Sequence, residues 1–271
     1  MMDRLLKYNT SAKAAIDIAL YDIQGKAMGQ PLYKLLGGYR NQIETDMTIG
    51  IDTPENMAKE AKLRVESDGF RILKIKGGKN VEDDIRAMQL IRQSVGPEIR
   101  LRMDANQGYN ISDAVYVMKA FEEIGVGAVE QCLPWWDFEG AALLRQKTGV
   151  CQMLDESIHS PQDAFRACKI GAADILNIKL MKCGGIYAAE KINAIAEANH
   201  MTCMVGCMLE TKVAIAAGVA FAAAKKNVTE ADCDSFMYAV DSEMGIKGGF
   251  SVDGGVYTLS ERPGLGLDID F

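Results

Sequence analysis

Three carboxylates, Asp104, Glu130 and Asp155, stand 26 and 25 residues apart, each at the end of a short apolar run. Lys74 and Lys76 close an earlier run of the same kind, and Lys179 closes a later one. Hard carboxylate oxygens in that number suit Mg²⁺, which takes near-octahedral geometry and keeps positions for water and substrate oxygens. Without a cation, three carboxylates in one pocket would repel and raise one another's pKa. Singly, each would also serve as the cap of a following helix, so the set argues for a metal where no member does. Asn106, two residues after Asp104, would either orient a ligand or form a turn ahead of Gly108, and the spacing favours neither.

Lys74 and Lys76 are two apart, so on a strand they point to one side. An inward pair of ammonium groups is costly unless function requires it. A free lysine titrates near ~10.4, too high for a base at neutral pH, and a neighbouring cation or metal disfavours the protonated form. Lys179 follows Lys76 by 103 residues, roughly four βα units, which places it across an eight-stranded barrel. Two bases facing each other would remove a proton from one face of a carbon and return one to the other. The competing reading is a pair of rim lysines with their heads in water.

The runs RILKIKGG, IRLRMDAN, GAVEQCL, CQMLDES and DILNIKLM are rich in Ile, Leu, Val and Met, and each leads through a loop to a helical pattern. The spacing predicts strands near 44–50, 70–77, 99–105, 126–132, 151–156, 174–180, 202–207 and 228–233. Repeated strand then helix is the pattern of an α/β TIM-type (β/α) barrel, whose strand ends converge on one face. A helix over 11–28, capped by Ser11, precedes it; later helices open at Ser112-Asp113, Ser160-Pro161 and Gly184-Gly185. The expected organisation is a lead-in segment and helix over 1–43, a barrel catalytic domain over 44–240, and a Gly-rich tail of turns and short strands over 241–271. The 271 residues suffice for one such domain. A net charge of −7 with no basic run disfavours nucleic acid and anionic membranes as partners. No apolar stretch reaches the ~18 residues of a membrane span. Seven cysteines, among them Cys132, Cys151, Cys168, Cys203 and Cys207, lack paired metal-ligand spacing and read as reduced core residues of a cytoplasmic protein.

Lys-x-Lys, Asp-x-Asn, Glu, Asp-Glu-Ser and Asn-x-Lys-x-x-Lys-x-Gly-Gly, on successive strands, resemble the enolase superfamily, in its muconate-lactonizing subgroup. The opening AAIDIALYDIQGKAMGQPLYKLLGG resembles the segment with which that family enters its barrel. The resemblance implies that Asp104, Glu130 and Asp155 bind Mg²⁺, that Lys76 and Lys179 are the opposed acid/base pair, and that Lys74 helps neutralise an enolate. Its mandelate-racemase branch uses a His-Asp base, whereas this chain has only His159, in a turn, and His200, at a helix end. In VTEADCDSF, Asp232 and Asp234 lie on one strand face, and this Asp-x-Asp is similar to that of the dipeptide epimerases. Two inward carboxylates would hold a substrate ammonium and repel succinyl or muconate anions; a solvated acidic strand end is the alternative.

The resemblance therefore implies epimerisation at the C-terminal residue of a small dipeptide, with L-Ala-D/L-Glu of cell-wall peptide turnover as the expected substrate. Other subgroup activities stay open: o-succinylbenzoate synthase, N-succinylamino acid racemase and muconate cycloisomerase. Family members also carry an N-terminal capping domain, on which the tail is expected to pack and which this sequence is expected to lack. A catalytically silent barrel is the third reading, and a homo-oligomer is compatible with all three.

Overall fold

The computed structural model describes residues 2–235 and 245–270. Residues 236–244 and 271, which fall in the expected barrel end and tail, lie outside the described residues. Elements run in the order α1 (Met2–Leu5), α2 (Thr10–Met28), α3 (Leu32–Leu35), β1 (Gln42–Glu44), β2 (Met47–Ile49), α4 (Pro54–Glu66), β3 (Ile72–Lys76), α5 (Val81–Val95), β4 (Arg100–Asp104) and α6 (Ile111–Ile124). They continue with β5 (Ala128–Glu130), α7 (Phe138–Lys147), β6 (Cys151–Leu154), α8 (Pro161–Ile170), β7 (Ile175–Ile178), α9 (Leu180–Cys183), α10 (Ile186–Ala198), β8 (Thr202–Gly206), α11 (Lys212–Ala224) and β9 (Val228–Asp232). Four short strands follow: β10 (Ile246–Gly248), β11 (Phe250–Asp253), β12 (Val256–Leu259) and β13 (Leu267–Ile269).

Strands β2 to β9 form one eight-stranded sheet in sequential order, parallel wherever their pairing is resolved, with helices between them. This is the topology of a TIM-type (β/α) barrel. All eight predicted strands are present. The one predicted over 44–50 is broken: only Met47–Ile49 joins the large sheet, while Gln42–Glu44 pairs antiparallel with β12. Buried Thr45 and Asp46 make the break, because Thr45 donates its N–H to Gly255 and accepts at Oγ1 from the Cys233 N–H, outside any ladder.

The chain divides into two compact units. One comprises Asp46–Ile158 and Gln162–Leu176. Its strands are buried almost continuously, with Leu73, Ile75, Leu101, Met103, Val129 and Met153 in the core, as expected when helices cover a parallel sheet. The cap of α6 is Asn110, whose Oδ1 accepts from the N–H groups of Ser112 and Asp113, so the helix starts ahead of the predicted Ser112-Asp113. Cys151 is exposed because it opens β6 at the strand's outer end.

The other unit comprises Met1–Thr45, His159–Pro161 and Asn177–Phe271. Helix α11 is apolar around its whole circumference and buried accordingly. Helix α2 begins after Asn9, not at Ser11; Asn9 is left-handed and makes no side-chain cap bond. The β11–β12 hairpin lies on β1 with Ile43 opposite Tyr257, and Leu265 donates its N–H to Asp22 of α2. The tail thus packs on the chain's own lead-in segment.

Candidate functional site

In the first unit, β4, β5 and β6 are neighbours, so their ends bring Asp104, Glu130 and Asp155 onto adjacent strands. Asp104 stands opposite Glu130 in the register, and all three carboxylates are buried. Lys76 ends β3 opposite Asp104 and donates from Nζ to Asp104 Oδ2 at 2.6 Å and to Asn106 Oδ1 at 3.0 Å. Asp104 Oδ1 accepts from the Asn106 N–H at 3.0 Å. Lys74, two residues earlier, is buried in the same strand.

Asn106, Gln107 and Gln131 all have positive φ, at 42°, 69° and 40°, so side-chain bonds must hold these loops in a conformation that ordinary residues disfavour. Gln131 Oε1 accepts from the N–H groups of Asp155 and Ser157, and its Nε2 donates to Leu133 O and Ser157 Oγ. That one amide ties the end of β5 to the end of β6. Neither Gln131 nor Glu156 was singled out from sequence, since an amide or carboxylate beside a ligand has no spacing of its own.

Negative charge is concentrated here. Burial, then the charges of Asp155 and Asp104, push the Glu156 carboxyl above its ordinary range, with Asn106 opposing. Burial, with Asp104 adding, pushes the Cys132 thiol up to about 12. Three buried hard-oxygen donors under such a potential are a set that a divalent cation fits. The Asp104 carboxylate is held by Lys76 and by the Asn106 N–H. Among the described residues, the ligand atoms that lie within 4.8 Å of one another belong to Cys207, Asp232 and Asp234.

That second cluster belongs to the other unit. Asp232 ends β9 opposite Gly206, the last residue of β8, and Asp234 follows two residues on; both are buried. The intervening Cys233 is pinned by its N–H to Thr45, its Sγ to Val205 O, and its carbonyl, which accepts from the Tyr257 hydroxyl. Burial, reinforced by Asp232 and Asp234, drives the Cys207 thiol well above its usual pKa.

Lys179 follows β7 and occupies the N-cap position of the short helix α9, only 7% exposed. Gly206 makes room for it: a Cβ there would lie 2.6 Å from Asn177 Oδ1 and 2.9 Å from Lys179 Cε. Glu210, also buried, accepts from the Met208 N–H, and its own N–H reaches Ser235 Oγ. Burial raises its pKa, with the Met208 bond and the Lys179 charge opposing. The role of Gly206 emerges only once β7 and β8 are placed side by side, and that of Glu210 only once the segments that follow β8 and β9 meet. Neither His159 nor His200 belongs to the Cys207, Asp232 and Asp234 group, and no described helix is long and apolar enough to cross a membrane.

Comparison with known proteins places this geometry in a family setting. Residues 56–271 match the family "Enolase C-terminal domain-like", and residues 1–37 match "Mandelate racemase / muconate lactonizing enzyme, N-terminal domain". The chain is 45% identical over 269 residues to the L-Ala-D/L-Glu epimerase of Clostridium acetobutylicum, covering 98% of this chain and 74% of that protein. It is 44% identical over 269 residues to the hydrophobic dipeptide epimerase of Enterococcus faecalis, covering 98% and 75%. The crystal structure of the dipeptide epimerase from Enterococcus faecalis V583, complexed with Mg and the dipeptide L-Leu-L-Tyr, superposes with a TM-score of 0.95 at 43% identity, covering 98% of this chain and 75% of that one.

Proposed function

Starting from a chain that belongs to the enolase superfamily, in its mandelate racemase/muconate lactonizing group, and that is an isomerase, we propose a Mg²⁺-dependent dipeptide epimerase that inverts the α-carbon of the C-terminal residue, with L-Ala-L-Glu and L-Ala-D-Glu as the substrate pair. The observation that carries the substrate class is the buried pair Asp232 and Asp234 in the unit that also holds Lys179. Two carboxylates attract the free ammonium of an unblocked dipeptide through charge-assisted hydrogen bonds. The same pair disfavours an N-succinyl group, which would bring a third negative charge.

Asp104, Glu130 and Asp155 would hold the Mg²⁺, whose charge, when bound, stabilises the substrate carboxylate and the negative charge that builds there as the α-proton leaves. Lys74 adds a positive charge toward the same end. Lys76 and Lys179 exchange the α-proton: the neutral one takes it from one face, and the other, as an ammonium, delivers one to the opposite face. Each turnover therefore leaves the two lysines with swapped protonation, which exchange with water resets. On this reading residues 44–240 are the catalytic domain, 1–43 lead into it and 241–271 form its tail, and the enzyme acts in the cytoplasm on peptides from cell-wall turnover.

Chiral chromatography of L-Ala-L-Glu incubated with the protein tests this. The D-epimer is expected with Mg²⁺ and not with EDTA. Turnover of an N-succinylamino acid, with no epimer from any unblocked dipeptide, would contradict it.

A further inference from the structure

Glu156 sits in the loop after β6 and touches both residues that follow Ala105. Its Oε1 accepts from Asn106 Nδ2 at 3.2 Å and from Gln107 Nε2 at 3.4 Å. An amide side chain has one donating and one accepting end, so fixing the first aims the second. Asn106 consequently turns Oδ1 to Lys76 Nζ at 3.0 Å, and Gln107 turns Oε1 to the Trp135 N–H at 2.9 Å. With both residues left-handed, the backbone does not favour this loop shape by itself. Remove the carboxylate and the Asn106 amide is free to rotate, offering its NH₂ to an ammonium that cannot accept. Of the two groups that hold Lys76 Nζ, Asp104 is a candidate metal ligand, so Asn106 is the partner dedicated to the lysine.

We infer that Glu156 is a positioning residue for Lys76: it locks the Asn106 amide with its oxygen toward Nζ, and so sets proton-transfer geometry on one face of the substrate only. The inference rests on the reading of Lys76 and Lys179 as the two bases. A residue that merely stabilised the fold would affect both faces alike.

The test is wash-in of solvent deuterium at the α-carbon, followed by NMR separately from each epimer of Ala-Glu. Glu156→Ala is expected to slow exchange about tenfold from the epimer that Lys76→Ala silences, and to change the other less than about twofold, a loss of the size that small misplacement of a base produces. Glu156→Gln keeps an oxygen for the two amides and should recover most of the rate, which separates positioning from misfolding. Equal slowing from both epimers, or no slowing, would overturn the proposal. If Lys76→Ala and Lys179→Ala do not silence opposite epimers, the two-base reading falls and this one with it.

Discussion

Lys76 and Lys179 both stand at the C-terminal end of a parallel strand, yet their surroundings differ. Lys76 is 28% exposed and is held by polar contacts, a carboxylate on one side and an amide on the other. Lys179 is almost wholly buried, its stem packed where a glycine leaves space and its charge felt by the buried Glu210. The partly exposed lysine is sensitive to the charge and orientation of the carboxylate and amide it donates to. The buried one is sensitive as well to a single added methyl beside its stem, because protein interiors have little free volume.

The largest effect should come from removing either lysine: Lys76→Ala and Lys179→Ala should each lower epimerisation by about 10³-fold, within the range that general acid–base groups contribute. Epimerisation surviving in either variant at more than a tenth of the normal rate would break the symmetry of role assumed here. Next, Gly206→Ala should cut kcat about 10²-fold by displacing Lys179 and destabilise the fold by about 1–3 kcal/mol, as overpacking does. Steady-state kinetics and thermal unfolding check both, and near-normal kcat would show that packing does not hold this lysine. Asp232→Asn keeps the shape and removes the charge that attracts an ammonium, so it should raise KM about tenfold with a smaller change in kcat. A purely kcat effect would move Asp232 from binding to chemistry. The smallest change is Tyr257→Phe, which removes the hydroxyl bonded to the Cys233 carbonyl between the two aspartates. Equilibrium denaturation should register about 1 kcal/mol lost.

The strand ends were legible because a parallel strand buried on both faces reads as an apolar run, and a charge at its close is conspicuous. That is why Asp104, Glu130, Asp155, Lys76 and Lys179 stood out with no structure at hand. The break at Thr45-Asp46 was not legible, since it depends on Thr45 bonding to Gly255 and Cys233, more than 180 residues away. The caps were misplaced for a local reason: Asn110 and Ser112 are both good cap residues two positions apart, and the choice fell to the first. Gly206 and Glu156 meet neighbours from other βα units, Asn177 and Lys179 for the first, Asn106 and Gln107 for the second. Periodicity along one chain segment carries no trace of such pairs.

The central claim is that two lysines divide the two faces of one carbon. Wash-in of deuterium into L-Ala-L-Glu and L-Ala-D-Glu by the two single-lysine variants, with Mg²⁺ present, tests it directly. Lys76→Ala should exchange the α-proton of one epimer only, and Lys179→Ala that of the other only. Loss of exchange from the same epimer in both variants, or retained exchange from both epimers in either, would contradict the account.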